Sequence, residues 1–360
     1  MVQPEGTAPR RSRLGADLTI LALVGVLLIA AIGAGGVTLY QQFYSPSAFV
    51  SRYLDMLSSG RAADALRVPG VAVDRTALED AGIDGNASEA LLRRAALAPL
   101  TDVHLETEQD GDVYHVTADY KAAGHEGTTV FDIVQDGWAG VTPNWRFAKS
   151  PLAEVELVVR GADTFAVNGF ELDRRQVAIA GAESAPLEPV HLLVFTPGVY
   201  SVTVDTPIAS SPGVSVLADA PLTHTPVDVQ TQPTKEFRDV VQQRVEQFLT
   251  KCTTQKVLQP TACPFGLEVR NRLAPDSLPN WSITTQPKVS VTPDGAYWRI
   301  EPSDAVAHID VDIQSLFDGS IEHVSEDVPF SVDGTITILP DGSASIRVGS
   351  PGTPGGTDPN

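Results

Sequence analysis

From Leu18 to Tyr40 the chain reads LTILALVGVLLIAAIGAGGVTLY, with no charged side chain in an apolar run of about 23 residues. A run of that length covers the hydrocarbon core of a bilayer as a helix, so it predicts a single N-terminal transmembrane helix over 17–40. Arg10, Arg11 and Arg13 precede the run, and the next basic residue is Arg52. Arginine concentrated on one flank marks the cytoplasmic side, which puts the N-terminus in the cytoplasm and the remaining domains outside the cell. Residues 1–16 are polar and too few to bury a core, and they read as a disordered cytoplasmic stub. Ala30, Gly33 and Ala34 belong to a stripe of small residues that would let a second membrane helix approach closely.

Composition then limits what an outer portion can do. The formal net charge is −20. A field of that sign repels phosphate polymers and disfavours nucleic acid and anionic lipid as partners. Cys252 and Cys263 are the two cysteines of the chain, and on the outer side of a membrane they are expected to join as one disulfide. The loop they would close is short, so the chain-entropy account gives roughly 2–3 kcal/mol, enough to pin a local turn.

Helical and strand periods alternate along the outer portion. Ser45-Pro46 is a cap followed by proline at the first helical position, and Phe49, Tyr53, Met56 and Leu57 repeat at helical spacing up to Ser58-Ser59-Gly60. Asn86 with Glu89 three residues on has capping-box spacing and predicts a second helix through Leu91, Leu92, Ala95 and Ala96, ending before Pro99. Alternating runs over 103–107, 113–120, 128–134 and 144–148 predict strands, with turns at Asp110-Gly111 and Asp136-Gly137. Helices followed by a strand meander predict an α+β unit over 45–150. The segments SAFVSRYLDMLSSGRAADAL, HVTADY, TTVFDIV and NWRF resemble the cone-shaped nuclear-transport-factor-2-like domains. That resemblance implies helices covering one face of a curved sheet beside a membrane anchor. Cone domains of this kind act as enzymes when an Asp and a Tyr enter the cavity as base and oxyanion donor, and Asp119-Tyr120 are adjacent on a predicted strand. Neighbours on a strand point to opposite faces, so only one of the two enters the cavity from there.

Residues 152–233 carry short β runs between Pro and Gly turns and read as a small β-sandwich. Ala166-Val167-Asn168-Gly169 and Phe195-Thr196-Pro197-Gly198-Val199-Tyr200 resemble β-modules of bacterial envelope proteins, including the teicoplanin-resistance-associated type, with glycines that read as turn chemistry. The scarcity of Lys against Arg resembles actinobacterial composition. Thr234 caps another helix with Phe237, Val241, Val245 and Phe248 on one face, and strands follow to Val348. Residues 234–348 therefore read as a second helix-plus-antiparallel-sheet domain, and 349–360 as a disordered tail. Trp145-Arg146-Phe147 and Trp298-Arg299-Ile300 hint at a divergent repeat.

Signatures of chemistry are few. There is no Gly-x-Ser-x-Gly elbow, no Walker A loop and no dinucleotide fingerprint. The histidines at 104, 115, 125, 191, 224, 308 and 323 lie singly, without the spacing zinc requires, although His104 and His115 could face each other across neighbouring strands. Asp304, Asp310, Asp312, Glu322, Glu326 and Asp327 form the densest acidic set, with Asp310 and Asp312 on one strand face, but their spacing matches no calcium loop. No catalytic residue, metal ligand or cofactor is assigned. The expectation is a membrane-anchored extracytoplasmic binding or scaffolding protein of a bacterial cell envelope, non-catalytic, with an envelope protein or wall polymer as partner. The alternatives are an enzyme using the cavity of 45–150 and a co-receptor for an envelope signalling partner.

Overall fold

The computed structural model describes residues 21–26, 42–140, 142–295, 297–339 and 344–349. Helix α1 (Pro46–Ser58) begins where Ser45 Oγ accepts the amide of Ala48 at 3.1 Å. It buries Phe49, Val50, Tyr53, Leu54 and Leu57. These rest on an antiparallel meander of β1 (Leu100–Asp110), β2 (Val113–Ala122), β3 (His125–Ala139) and β4 (Thr142–Phe147). Strand alternation sets the core: Val116, Ala118, Tyr120 and Ala122 face inward while Asp119 and Lys121 face water. The β2–β3 turn places Ala123 and Gly124 at φ of 47° and 84°, the doubly left-handed turn that suits a tight hairpin. Tyr53, Phe131 and Phe147 pack edge to face with ring centroids 5.1–6.1 Å apart.

The helix anticipated after Asn86 is replaced by two single 3₁₀ turns, Glu89–Leu91 and Arg94–Ala96. Tertiary hydrogen bonds account for the difference. Ser88 N donates to His191 O at 2.7 Å, Ser88 O accepts from Leu193 N at 2.9 Å, and Asn168 Nδ2 donates to Ala96 O at 2.8 Å. A backbone pulled into the neighbouring sheet cannot continue a helical ladder.

The sandwich is built of β5 (Leu152–Arg160), β6 (Thr164–Val167), β7 (Phe170–Asp173), β8 (Val190–Phe195), β9 (Gly198–Thr203), β10 (Ala209–Ser210), β11 (Val214–Ala218), β12 (His224–Gln230) and β13 (Gln232–Pro233). One sheet runs β12-β5-β8, with β12 parallel to β5, and the other runs β11-β9-β6-β7. Between them lie Leu157, Phe165, Val194, Tyr200 and Val202.

Helix α2 (Lys235–Thr253) follows, capped by Thr234, whose Oγ1 accepts the Phe237 amide at 3.1 Å. Its face of Phe237, Val241, Val245, Leu249 and Cys252 is buried, with Leu249 rather than Phe248 fully enclosed. Its sheet comprises β14 (Arg272–Leu273), β15 (Asn280–Thr285), β16 (Val291–Asp294), β17 (Tyr297–Gln314), β18 (Ile321–Ile338) and β19 (Ala344–Gly349). β17 and β18 pair over nearly their whole length, broken by one register shift between Ile300 and Ser303. Phe237 stands edge-on to Trp298 at 5.4 Å. Cys252 and Cys263 form a disulfide, Cα to Cα 5.9 Å, that ties the end of α2 to the following loop.

Two expectations are corrected. The chain is mostly β rather than α+β, with 46% strand against 21% helix. The physical reason is that the helix expected over 86–98 is reduced to two three-residue 3₁₀ turns, while the alternating β-branched runs merge into strands as long as 18 residues. The single N-terminal transmembrane helix is also overturned: no helix among the described residues is long and apolar enough to cross a membrane. Of Leu18–Tyr40 only residues 21–26 are described. The remainder of that run lies outside the described residues, as do the stub at 1–16 and the tail at 350–360.

Candidate functional site

An open cleft of about 700 Å³ lies where the first sheet meets the sandwich. Its shape starts with a β-bulge. Thr101 pairs with Lys121, but the next paired residue of β1, His104, stands opposite Asp119, so Asp102 and Val103 together oppose Tyr120. Asp102 adopts φ of 52°, a left-handed conformation that aspartate tolerates better than most residues. Such bulges twist a strand and re-aim its side chains, and here Asp102 and His104 both line the cleft.

β2 and β3 supply the floor. Asp119 accepts a hydrogen bond from Thr128 Oγ1 at 2.5 Å, and Lys121 Nζ lies 3.3 Å from Asp102 and 3.8 Å from Glu126. Tyr120 is 3% exposed and accepts a hydrogen bond from Thr129 Oγ1 at 3.3 Å. Gly127 is its register partner, and a Cβ there would sit 2.6 Å from the Tyr120 hydroxyl, so the glycine is what lets the ring lie across the strand. Burial raises the Tyr120 phenol above its ordinary range, the Asp219 carboxylate adds to that, and the Thr129 hydrogen bond opposes it. Leu217 and Asp219, at the end of β11, form the opposite wall.

Asp119 and Tyr120 point to opposite faces of β2, as the strand period requires, yet both line this cleft. The space between α1 and the sheet is a different matter, being occupied by the fully buried Tyr53, Phe131 and Phe147. Tyr53 donates to Pro151 O at 3.2 Å and Thr196 O at 2.9 Å, and burial pushes its phenol well up. The hydroxyl there is committed to backbone carbonyls of the neighbouring unit.

Other anticipated groupings are partly assembled. His104 and His115 are not brought together: His104 opposes Asp119, while His115 Nδ1 hydrogen-bonds Asp132 at 2.7 Å. The acidic set divides by strand period. Asp310, Asp312 and Asp327 share the outer face of β17–β18, Glu322 and Glu326 stand opposite Ile313 and Ile309 on the other face, and Asp304 lies apart beside Val306 and Pro329 in a shallow groove. Two histidines that sequence reasoning left isolated enter the outer ladder. His308 Nδ1 meets Asp327 at 2.7 Å and His323 Nδ1 meets Asp312 at 2.8 Å. Asp327 raises the His308 imidazole, and the Ser325 hydrogen bond leads the lowering of the Asp310 carboxyl. The signal was available in the two-residue spacings 308-310-312 and 323-325-327.

No sequence signal announced the buried Glu154. It is 1% exposed, and it accepts from His191 Nδ1 at 2.5 Å, His224 Nδ1 at 3.2 Å and the Asp84 amide at 3.2 Å. His224 Nε2 also lies 2.7 Å from Glu156. This cluster joins three strands of the sandwich to the loop before the 3₁₀ turns. Among the described residues, no group of three or more His, Cys, Asp or Glu side chains is arranged to hold a metal ion.

In comparisons with family models, curated proteins and solved structures, nothing matches this chain.

Proposed function

We propose that this chain is an extracytoplasmic binding or scaffolding protein of a bacterial cell envelope, one that holds a partner without transforming it. The observation that carries the reading is the cleft between the first sheet and the sandwich. Its two walls come from different units, and those units are joined by buried polar contacts at Tyr53 and Glu154. Clefts at such junctions are the usual places for ligands, and walls fixed by buried hydrogen bonds bind with little ordering cost. The Cys252–Cys263 disulfide suits an oxidising compartment outside the cytoplasm.

The test is a mass balance. The full-length protein is incubated with solubilised membrane proteins and with wall fragments from a bacterial envelope, and every retained component is eluted and quantified. The reading expects saturable retention of a component that is recovered chemically unchanged. Conversion of a wall fragment into a new product overturns it in favour of an enzyme working at Asp119 and Tyr120, and a chain that retains nothing overturns it outright.

A further inference from the structure

We propose that the end of the first sheet where α1 begins rests on the headgroup layer of a zwitterionic phospholipid membrane, through the exposed side chains of Phe43, Tyr44 and Trp138. The inference rests on the envelope part of the reading above and names the surface on which the chain sits. Charge distribution is the first observation. In a chain of formal charge −20, no Asp, Glu, Lys or Arg stands between Asp17 and Arg52, or between Asp136 and Arg146. The fold brings these two uncharged stretches together, for Trp145 Nε1 donates to Tyr44 O at 2.8 Å.

A β-bulge decides where Trp138 points. Gln135 opposes Trp145 and the next pair is Trp138 with Pro143, so β3 uses three residues where β4 uses two. Opposed residues share a face, and Pro143, Trp145 and Phe147 share one by the two-residue period. It is the face that α1 covers, since the Phe147 ring lies 5.1 Å from that of Phe49. Without the extra residue Trp138 would project from the other side of the sheet. With it, the indole stands one two-residue step, about 7 Å, beyond Trp145 on the same side. Trp138 is 63% exposed, whereas Trp145, Trp281 and Trp298 are 9% exposed or less. Phe43 and Tyr44 are 57% and 43% exposed. Their setting is fixed: Arg52 Nη1 donates to Phe43 O at 3.1 Å, and Thr142 Oγ1 closes the β3–β4 turn on Ala139 O at 2.8 Å.

What covers this patch follows from where the chain leads. The uncharged run that begins at Leu18 ends at Tyr40, three positions before Phe43. Apolar surface of that extent is drawn to an apolar phase whatever path its backbone takes, and the patch is the part of the described structure next to it. Tryptophan and tyrosine rings, apolar in body and polar at one tip, favour the level of lipid headgroups. An acidic protein meets a lipid surface by the end that carries no charge, and its field disfavours an anionic bilayer.

The test uses the tryptophan emission of the full-length protein, because the indole at the patch is the exposed one. Protein is mixed with phosphatidylcholine vesicles, bound protein is collected by flotation, and the Trp138 component is taken as the difference between parent and Trp138→Phe. On binding, that component should shift to the blue and lose at least half of its quenching by aqueous acrylamide. Phosphatidylcholine brominated high on its acyl chains should quench it. A second variant, Trp138→Phe with Phe317→Trp, carries an indole on the β17–β18 turn, where Phe317 is fully exposed. That indole should keep its acrylamide quenching and ignore the brominated lipid. Trp138 emission unchanged in the floated protein, equal lipid quenching at 138 and 317, or no flotation overturns the inference. If it falls while the mass-balance experiment retains an envelope component unchanged, the binding reading stands. If Trp138 is shielded but that experiment retains nothing, the membrane contact stands and the binding reading has failed.

Discussion

Gly70 sits so close to β4 that a Cβ added there would lie 2.3 Å from the carbonyl oxygen of Phe147, in a backbone with φ of 83°. The contact is backbone to backbone, and Phe147 N also donates to Pro69 O at 3.0 Å, so neither side can give way. Gly70→Ala should therefore cost about 2–3 kcal/mol from overpacking and left-handed strain together, read as a fall in the urea midpoint at unchanged slope. Asp132 supplies a pH-dependent counterpart. Burial alone would raise its carboxyl, but hydrogen bonds from Lys149 and His115 outweigh that and hold it below the usual carboxylate range. With a folded value below the unfolded one near 4, its contribution is whole above the unfolded value and vanishes as pH falls through the folded one. Asp132→Asn should cost about 0.5–1 kcal/mol at pH 7, discounted for its contact with solvent. The gap to the parent should close as denaturation is repeated at progressively lower pH, and a gap constant from pH 7 to pH 2 would contradict the assignment. Nothing in the local sequence around Asp132 foretold this pair of partners, because His115 and Lys149 arrive from two neighbouring segments of chain.

Among the elements, those with chemical punctuation were legible and those held by distant partners were not. Ser45-Pro46 and Thr234 mark the starts of α1 and α2, since each hydroxyl takes an amide that the helix cannot satisfy itself. The alternation at 113–120 likewise foretells β2, because one face must be dry. Residues 86–98 carry an equally good helical pattern, but Ser88 is drawn into pairing with β8 and the pattern loses to that contact. The cleft was half visible. Asp119-Tyr120 could be named from the strand, whereas Asp219 lies 100 residues on and the bulge at Asp102 has no sequence mark. The disulfide was legible from the count of two cysteines taken with the expectation of an outer location, and its energetic role follows from its loop. With a separation of 11 residues, the chain-entropy relation gives about 2.5–3 kcal/mol. Replacing both Cys252 and Cys263 with serine should lower stability by about that amount, measured by urea titration, and adding reductant should then change the parent but not the variant. Loss of all folded signal in the variant would show that the loop carries far more than a local tether.

For the whole molecule, the decisive fact is where the cores join. Leu152, Leu193, Phe195 and Val199 of the sandwich belong to the cluster built around Tyr53, Phe131 and Phe147, while one continuous core runs from the sandwich through α2 to β17 and β18. Segments that share buried surface unfold together when the shared contacts exceed what either part gains alone. Calorimetry of the parent should therefore show one cooperative endotherm rather than three separate ones. Tyr53 is the test of that coupling, because its hydroxyl is the direct polar link from α1 to Pro151 and Thr196, and both carbonyls are enclosed. Tyr53→Phe keeps the ring packing and removes the donor to Thr196 O, while Pro151 O keeps the amide of Thr196, at a cost of about 1–2 kcal/mol. For a cooperative unit of this size that corresponds to a fall of about 2–4 °C per kcal/mol in Tm. The endotherm should move down as a whole. If instead the first unit melts early while the rest keeps the parental Tm, the cores are coupled through Tyr53 alone, and the shared apolar contacts at Leu193 and Phe195 contribute little to holding the two walls of the cleft in place.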